Sequence, residues 1–216
     1  MYAELHALSN FSFLRGASFP EELVERAAQL GYRAIAITDE CSVAGVVRAH
    51  DAAKKIHLPL IVGASLTCTD GLSLIALARS RHGYGQLCRL ITRARRAAEK
   101  GSYALDRDWL DGALDECCLI WVPDDRNDEA DGLWLTERFA GRLWIGVELH
   151  HDGRDREHIR RARFLSERLN LPVTACGGVL MHARERKPLH DVLTAIRLRT
   201  PLSQCGYALE PNRDRH

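Results

Sequence analysis

The chain has 216 residues, of which 46% are hydrophobic and 27% charged, and its formal net charge is +1. This length supports one α/β domain with a substantial core, and the charge balance imposes no general requirement for a nucleic-acid partner. There is no apolar run of membrane-spanning length, no secretory signal at the start and no CxxC pair among the seven cysteines. We therefore expect a reduced, cytoplasmic protein that makes no membrane contact and has neither a disulfide framework nor a zinc ribbon.

The opening stretch, Tyr2–Ser18, combines a strand signal with the start of a helix. Its alternating apolar residues predict a strand that ends at His6. Ser18 then begins the first helix with a capping box, Pro20 lies in its first turn, and Gly31 follows its last residue. A histidine at the end of a strand is typical of sites on the carboxyl edge of an α/β sheet.

The middle of the chain continues to alternate strand and helix patterns. Gly63 is expected to end one strand, and Thr69-Asp70-Gly71 has the chemistry of a hairpin turn. Strands are predicted over 34–37, 59–62 and 72–78. Helices are predicted over 43–56, 84–99 and, as a short element, 109–114.

The last part of the chain repeats the alternation after a polar, acidic segment, Pro123–Gly132, which we expect to be a mobile loop. Strands are predicted over 117–122, 143–149 and 171–175, and helices over 133–139, 155–169 and 186–198. Seven strands alternating with helices predict a parallel α/β sheet, most simply closed into a barrel. No repeat or long linker divides the chain, so residues 1–216 are predicted to form one domain.

Polar residues follow several predicted strands, and a barrel would bring them to one face. They are His6, Ser9, Asn10, Asp39, Glu40, Ser65, Glu148, His150, His151 and His182. A loose set of histidines and carboxylates suits hard or borderline metals. Each residue also has a structural interpretation: His6 as a hydrogen-bonded core histidine, Asp39 as a helix cap, His150 and His151 as exposed turn residues, and His182 as a solvent or phosphate contact.

The positive charge is concentrated in one predicted helix. Residues 79–100 contain six arginines and a lysine but only one acid, and Arg89, Arg93, Arg95 and Arg96 are the candidates for contact with DNA or a protein partner. The alternative is that these basic residues form the solvent-exposed face of the helix and contact no partner.

Several longer motifs resemble the bacterial C-family DNA polymerases, and most closely their damage-inducible, error-prone alpha subunits. They are 4–18 (ELHALSNFSFLRGAS), 36–45 (AITDECSVAG), 83–91 (GYGQLCRLI), 190–198 (HDVLTAIRL) and 205–212 (CGYALEPN). The resemblance implies a PHP (polymerase and histidinol phosphatase) domain, a distorted (β/α)7 TIM-like barrel. It also implies an N-terminal fragment of a longer polymerase, whose magnesium-binding carboxylates would lie outside this chain.

Active PHP domains hold up to three metals and hydrolyse phosphoesters, so their ligand pattern can be compared with this chain position by position. Of the expected ligands only His6 and Asp39 remain, with Glu40 a conceivable substitute for the histidine after Asp39. The other ligand positions are occupied by Leu8, Arg15, Ser65, Gly178 and Leu180. The resemblance therefore implies no catalytic residue, no bound metal or other cofactor in this domain, and a site repacked with leucine.

We accordingly expect a structural or docking domain of an error-prone translesion polymerase that acts in DNA repair and lacks proofreading. Its partners would be the rest of the polymerase chain, template-primer DNA, the sliding clamp and mutasome accessory proteins. If Arg15 pairs with Asp39 or Glu40, a salt bridge has taken over the charge-balancing role of the metals.

Two other functions fit the same residues. One is a metal-dependent phosphoesterase or 3′-5′ exonuclease with a rearranged site, built from His6, Asp39, Glu40, Glu148, His150 and His182. The other is a protein-binding module that uses either the basic helix of 79–100 or the acidic segment 124–131.

Overall fold

The structure is a computed structural model that describes residues 2–123 and 128–216, except for the side chain of Asp128. Within these residues, seven strands form one sheet whose spatial order is the order of the sequence. The strands are β1 (Glu4–Ala7), β2 (Ile35–Ile37), β3 (Leu60–Thr67), β4 (Ser73–Ala78), β5 (Cys117–Trp121), β6 (Leu143–Val147) and β7 (Val173–Ala175).

Helices cover the sheet and connect most of its strands. They are α1 (Pro20–Gln29), α2 (Val46–Ile56), α3 (Arg81–Arg96), α4 (Asp128–Phe139), α5 (Asp155–Leu169) and α6 (Lys187–Leu198). The bounds of α5 agree with the prediction to the residue. No helix in the described ranges is both long and apolar enough to cross a membrane.

The sheet is mixed, so the prediction of a wholly parallel sheet is wrong. β1, β2 and β3 pair in parallel, as do β5, β6 and β7, but β4 is antiparallel to both β3 and β5. The predicted hairpin turn explains the reversal: the Gly71 amide donates to the carbonyl of Cys68 (2.9 Å), and Gly71 has a φ of +99°. A turn this short leaves no room for a crossover helix, so β4 must run backwards.

Backbone bonds join the two ends of the sheet and give it a distorted (β/α)7 TIM-like form. The Leu8 amide donates to the carbonyl of Val179, and the Val179 amide donates to the carbonyl of His6, both at 2.9 Å. Ala7 and Val179 form an isolated parallel bridge. The segment after β7 is thereby held beside β1, and it brings Gly178 and Leu180 to the same end of the barrel as His6.

The cap of α1 differs from the prediction. Phe19 rather than Ser18 is the N-cap residue, and its backbone amide donates to Glu22 Oε2 at 2.8 Å. The Ser18 hydroxyl instead lies 2.8 Å from His182 Nδ1 and accepts from the His182 amide. A long-range polar contact has therefore displaced the local capping bond.

Other element bounds differ where tertiary contacts override local sequence. β3 continues through Gly63 because a side chain there would approach the Ala76 carbonyl oxygen to 2.7 Å, so only glycine allows this close pairing. α3 begins three residues early because the Ser80 hydroxyl accepts from the Gly83 amide at 3.1 Å. The predicted helix over 109–114 is a single 3-10 turn, Arg107–Leu110.

Other bounds shift by one to three residues, including the end of α3 at Arg96 rather than residue 99 and the start of β7 at Val173 rather than residue 171. α2 begins at Val46 rather than at residue 43, β5 ends at Trp121, β6 ends at Val147, and α6 begins at Lys187 after a 3-10 turn. Residues 128–132, assigned to the acidic loop, form the start of α4. Residues 124–127, the rest of the loop's acidic part, lie outside the described residues.

Candidate functional site

His6 lies near the end of β1 and contacts a residue of β3 and the residue that follows β6. Its Nδ1 atom is 2.5 Å from Glu148 Oε1, and its Nε2 atom is 3.0 Å from the Ser65 hydroxyl. An ionised carboxylate can only accept hydrogen bonds, so Nδ1 of His6 carries a proton. Ser65, which replaces a glutamate of the active pattern, therefore contacts the one ring nitrogen that could face a metal.

Glu148 follows β6 and is the centre of a charged cluster. Its second carboxylate oxygen, Oε2, lies 3.5 Å from His150 Nε2 and 3.7 Å from Arg215 Nη2. Burial alone would raise the pKa of Glu148, but the charge and hydrogen bond of His6, together with Arg215 and His150, hold it at about 2. Glu148 is therefore ionised at any physiological pH and is neutralised by cationic groups of the chain itself.

Arg215 comes from the C-terminal end of the chain and reaches the position of a lost ligand. Its Nε atom donates to the Gly178 carbonyl at 2.9 Å, and Nη1 donates to Glu210 at 3.0 Å. A Cβ atom at Gly178 would lie 2.4 Å from Glu148 Oε2 and 2.8 Å from Arg215 Nη2. The space of the expected aspartate is thus taken by this ion pair, and a φ of +57° also favours glycine at residue 178.

Asp39 follows β2 and organises the loop after β1. Its Oδ1 atom accepts from the Ser9 amide (2.8 Å) and the Ser12 hydroxyl (2.7 Å), and Oδ2 accepts from the Ser9 hydroxyl (2.8 Å). Burial raises the pKa of Asp39, and these hydrogen bonds oppose that effect. Both oxygens accept hydrogen bonds from the loop after β1, and no hydrogen bond or ion pair among the described residues joins Asp39 to His6 or Arg15.

Glu40, the neighbour of Asp39, points to a different partner. Its carboxylate accepts a hydrogen bond from the Tyr103 hydroxyl, and its backbone carbonyl accepts from Arg95 Nη2 at 2.9 Å. Burial, followed by the charge of Glu40, raises the pKa of Tyr103. Tyr103 is therefore neutral, and its hydroxyl group donates a hydrogen bond to the Glu40 carboxylate.

Arg15 has no salt bridge among the described residues, so it does not take over the charge-balancing role of the metals at Asp39 or Glu40. It is exposed and lines a cavity at the barrel end, and it pairs with neither Asp39 nor Glu40 among the described contacts. Leu8 and Leu180, at two former histidine positions, are 6% and 7% exposed and belong to one apolar cluster with Ala17 and Met181. Charge and apolar packing thus meet at this end of the barrel.

The remaining candidate histidines are dispersed. His150 is half-buried, with Nε2 3.0 Å from the Gly177 carbonyl oxygen, whereas His151 is 74% exposed beside Asp214. His182 contacts Ser18, as described above, and lies 3.7 Å from Glu22 rather than facing solvent alone. Of the rearranged ligand set, only His6, Glu148 and His150 share one cluster. The described residues contain no group of three or more histidine, cysteine, aspartate or glutamate side chains able to hold a metal.

The candidate arginines of α3 have different surroundings. Arg95 donates to the carbonyls of Cys41 (3.1 Å) and Glu40, so the fold itself uses this guanidinium. Arg93 stacks on Trp109, 3.8 Å from its ring centre. Arg89 and Arg96 are exposed and are the members of the set most available to a partner.

Several site residues were missed from the sequence. Arg215 carried no signal because it lies 67 positions after Glu148 in a tail without periodicity. His190, Thr194 and Arg197 line the same cavity as His6, and their spacing of four and three residues on one helix was the signal that could have identified them.

The fold and the site together define a TIM-like barrel with a polar cluster at the carboxyl ends of its strands. An amidohydrolase from Chromobacterium violaceum, solved with bound sulfate and no metal, has a similar fold: the TM-score is 0.67 at 13% identity, covering 84% of this chain and 88% of that one. The PHP domain family model matches residues 4–126. The chain belongs to the PHP domain family.

Curated relatives match the chain along its whole length, among them the following two. It is 57% identical over 217 residues to an error-prone DNA polymerase from Methylococcus capsulatus. It is 56% identical over 220 residues to one from Dechloromonas aromatica. In each case the alignment covers 100% of this chain and 21% of the relative, so the chain spans about a fifth of the length of these relatives.

Proposed function

We propose that this chain is the PHP domain of an error-prone DNA polymerase that synthesises DNA across lesions, and that the domain is a structural element without nuclease activity. The observation that carries the first part is the identity of 57% over the whole chain to a polymerase of that name. The second part rests on how the former ligand positions are now used.

The residues at the barrel end do not fit a catalytic metal cluster. His6 is held between Glu148 and Ser65, both oxygens of Asp39 accept hydrogen bonds from the loop after β1, and Glu40 is bonded to Tyr103. A metal ion would have to compete with each of these contacts for its ligands. The positive charges of Arg15 and Arg215 would also repel a metal ion. These contacts do not support a metal-dependent step in this domain.

The contacts instead support a role in holding the barrel together. The cluster around Glu148 joins β1, β3, the end of β6 and the C-terminal tail. In a longer polymerase, that tail would connect directly to the next segment of the chain. The barrel would thus present a fixed end to the polymerase body, while magnesium acts at the polymerase site elsewhere.

The proposed partners are the polymerase body, template-primer DNA, the sliding clamp and the mutasome accessory proteins. For DNA, the exposed arginines of α3, Arg89 and Arg96, are the best-placed groups on the basic helix. Their contribution would be weak and dependent on salt. Reversing both charges should reduce the affinity of the full-length protein for DNA and lessen its salt dependence.

The test of the proposed function is a 3′-5′ exonuclease assay on the full-length protein with Mn²⁺ and a labelled primer-template. Primer extension past a lesion should occur, and no release of 3′ nucleotides above the level of a His6→Ala variant should be seen. Manganese-dependent release that disappears in His6→Ala would establish the phosphoesterase alternative. Failure to extend primers at all would refute the polymerase assignment.

A further inference from the structure

The last helix, α6, packs against the barrel with polar side chains and exposes apolar ones. Its inner face includes His190 and Thr194, which are 5% and 2% exposed. Its outer face carries Leu189, Val192 and Ile196, all of them exposed, Ile196 by 55%. A surface helix normally shows the opposite distribution, with its apolar stripe turned towards the core. The distribution in α6 therefore indicates a second packing surface, which no part of the described chain covers.

The apolar stripe of α6 continues into the segment that follows the helix. Leu189, Val192 and Ile196 are spaced by three and four residues, which places them on one face. Leu202 and Tyr207, in the two 3-10 turns after α6, are also exposed. Among the described residues, six of the seventeen exposed large hydrophobic side chains lie between positions 189 and 207. Apolar exposure is therefore concentrated in this short stretch of the chain rather than scattered over the surface.

The segment after α6 forms the second wall of a groove of about 390 Å³. Arg199, with a φ of +52°, ends the helix, and the Thr200 amide donates to the Ala195 carbonyl at 3.1 Å. The Gln204 amide then donates to the Pro201 carbonyl at 2.8 Å. Because these backbone bonds fix the reversal of the chain, the groove exists before any partner enters it. A partner that binds a pre-formed groove pays less conformational entropy for ordering it.

The residues that line the groove define the chemistry of its occupant. Val192, Ile196 and Leu202 supply exposed apolar surface on its two walls. Arg199 is the only charged residue among the described residues that line it, and it is exposed. Grooves of this kind accept an amphipathic helix, whose apolar stripe contacts the walls. An acidic residue beside that stripe would form a charge-assisted hydrogen bond with Arg199.

The length of the curated relatives indicates where such a helix would come from. The chain covers 21% of each, so most of a polymerase of that length lies outside these residues. The C-terminal tail lines the cavity at the barrel end together with α6. In a longer polymerase, a segment after residue 216 would thus be tethered close to the groove, at an effective concentration on the order of millimolar. A separate protein would have to bind without this advantage.

We infer that an amphipathic helix from the part of the polymerase outside this chain packs into the groove between α6 and the turns after it, with an acidic residue against Arg199. This inference rests on the proposed function, because it requires the longer polymerase. It names the surface by which the barrel would join the polymerase body. A second copy of the chain and an accessory protein are the competing occupants.

The test is photocross-linking of the purified full-length protein that carries Ile196→p-benzoylphenylalanine, with mass spectrometry of the cross-linked peptides. Cross-links should join position 196 to peptides of the same chain beyond residue 216. Val47→p-benzoylphenylalanine, at a 69% exposed position of α2, is the matched control and should give no such cross-link. Cross-links between two copies, identified with a mixture of ¹⁴N- and ¹⁵N-labelled protein, would overturn the inference. Cross-linking only after an accessory protein is added would overturn it as well.

Ile196→Ser probes the same contact without a bulky group. Losing one buried isoleucine from the interface should speed trypsin cleavage of the full-length protein after Arg199 by roughly tenfold, whereas Val47→Ser should leave the rate unchanged. Equal cleavage rates in the wild type and both variants, with no cross-link from position 196, would overturn the inference. Primer extension by the same preparation separates this failure from that of the proposed function: normal extension would leave the proposed function intact, and its absence would refute the polymerase assignment.

Discussion

His6 Nδ1 and Glu148 Oε1 lie 2.5 Å apart and join the first strand of the barrel to the sixth, 142 residues later in the chain. The pair occupies the place where the resemblance leads one to expect metal coordination. A histidine ligand normally donates its second ring N–H to a carboxylate outside the metal shell. Here Ser65 contacts the nitrogen that would otherwise bind the metal, and Arg215 supplies positive charge beside Glu148.

The cluster predicts a specific loss of stability in acid. The difference between the usual pKa of 4.5 and the value of about 2 for Glu148 corresponds to about 3 kcal/mol at neutral pH. Because the folded-state pKa is depressed, this stability is complete above pH 4.5 and is lost as the pH falls towards 2. Urea unfolding between pH 6 and pH 3 should show a steeper decline for the wild type than for Glu148→Gln.

The comparison with Glu148→Gln isolates this residue from the other buried acids. Burial raises the pKa of Glu4 and of Asp39, so protonation of these two acids favours the folded state as the pH falls. This effect is the same in the wild type and in Glu148→Gln, because both proteins contain Glu4 and Asp39. Parallel pH profiles for the two proteins would show that Glu148 is not stabilised by its cationic neighbours.

Gly178→Ala should destabilise the protein more than Gly153→Ala. Both glycines have positive φ, +57° and +89°, but a side chain at Gly153 would meet nothing within 4 Å. The control should cost about 1–2 kcal/mol from its backbone conformation alone. Gly178→Ala should cost at least about 2 kcal/mol more because it collides with the Glu148–Arg215 pair. Equal losses in chemical unfolding would mean that the pair can move aside.

Asp39→Asn should loosen the loop after β1. The carboxylate accepts three hydrogen bonds, and an amide can replace only those made to its oxygen, so we expect a loss of about 1–3 kcal/mol. Thermal unfolding and cleavage by trypsin at Arg15 would report the change. Asp51→Asn, on the exposed side of α2, is the control and should behave like the wild type.

Arg95→Gln should destabilise the fold, whereas Arg96→Gln should not. Arg95 holds the carbonyls of Glu40 and Cys41 from α3, and hydrogen bonds from a charged donor contribute about 1.5–3 kcal/mol. The neighbouring Arg96 is exposed. If chemical unfolding shows no difference between the two variants, Arg95 belongs with the surface arginines instead.

The sequence predicts most elements of the fold but not how the sheet pairs. α5 is predicted to the residue because its charged and apolar faces are separated along its whole length. β3 is predicted too short because a glycine usually ends a strand, whereas Gly63 permits close pairing with β4. The turn chemistry of Thr69-Asp70-Gly71 predicts a hairpin, and a hairpin requires an antiparallel β4, but the alternation of strands and helices favours a parallel sheet.

The candidate site is less predictable because its decisive contacts join distant segments. His6, Ser65 and Glu148 are among the polar residues that follow predicted strands, and Gly178 is indicated by the resemblance alone. Nothing in the sequence indicates that His6 joins Ser65 to Glu148. Arg215 has no local pattern that distinguishes it from an exposed tail residue. Its role follows from the backbone pairing of the tail with the segment after β7, where the amides of Leu180 and Met181 donate to the Arg215 carbonyl.

The most direct test of the central claim is the metal content of the full-length protein, purified without a polyhistidine tag and measured by inductively coupled plasma mass spectrometry. The contacts of His6 and Asp39 predict far less than one zinc or manganese ion per chain, with the same content in the wild type and in His6→Ala. One or more equivalents of zinc or manganese in the wild type, lost in His6→Ala, would contradict the account.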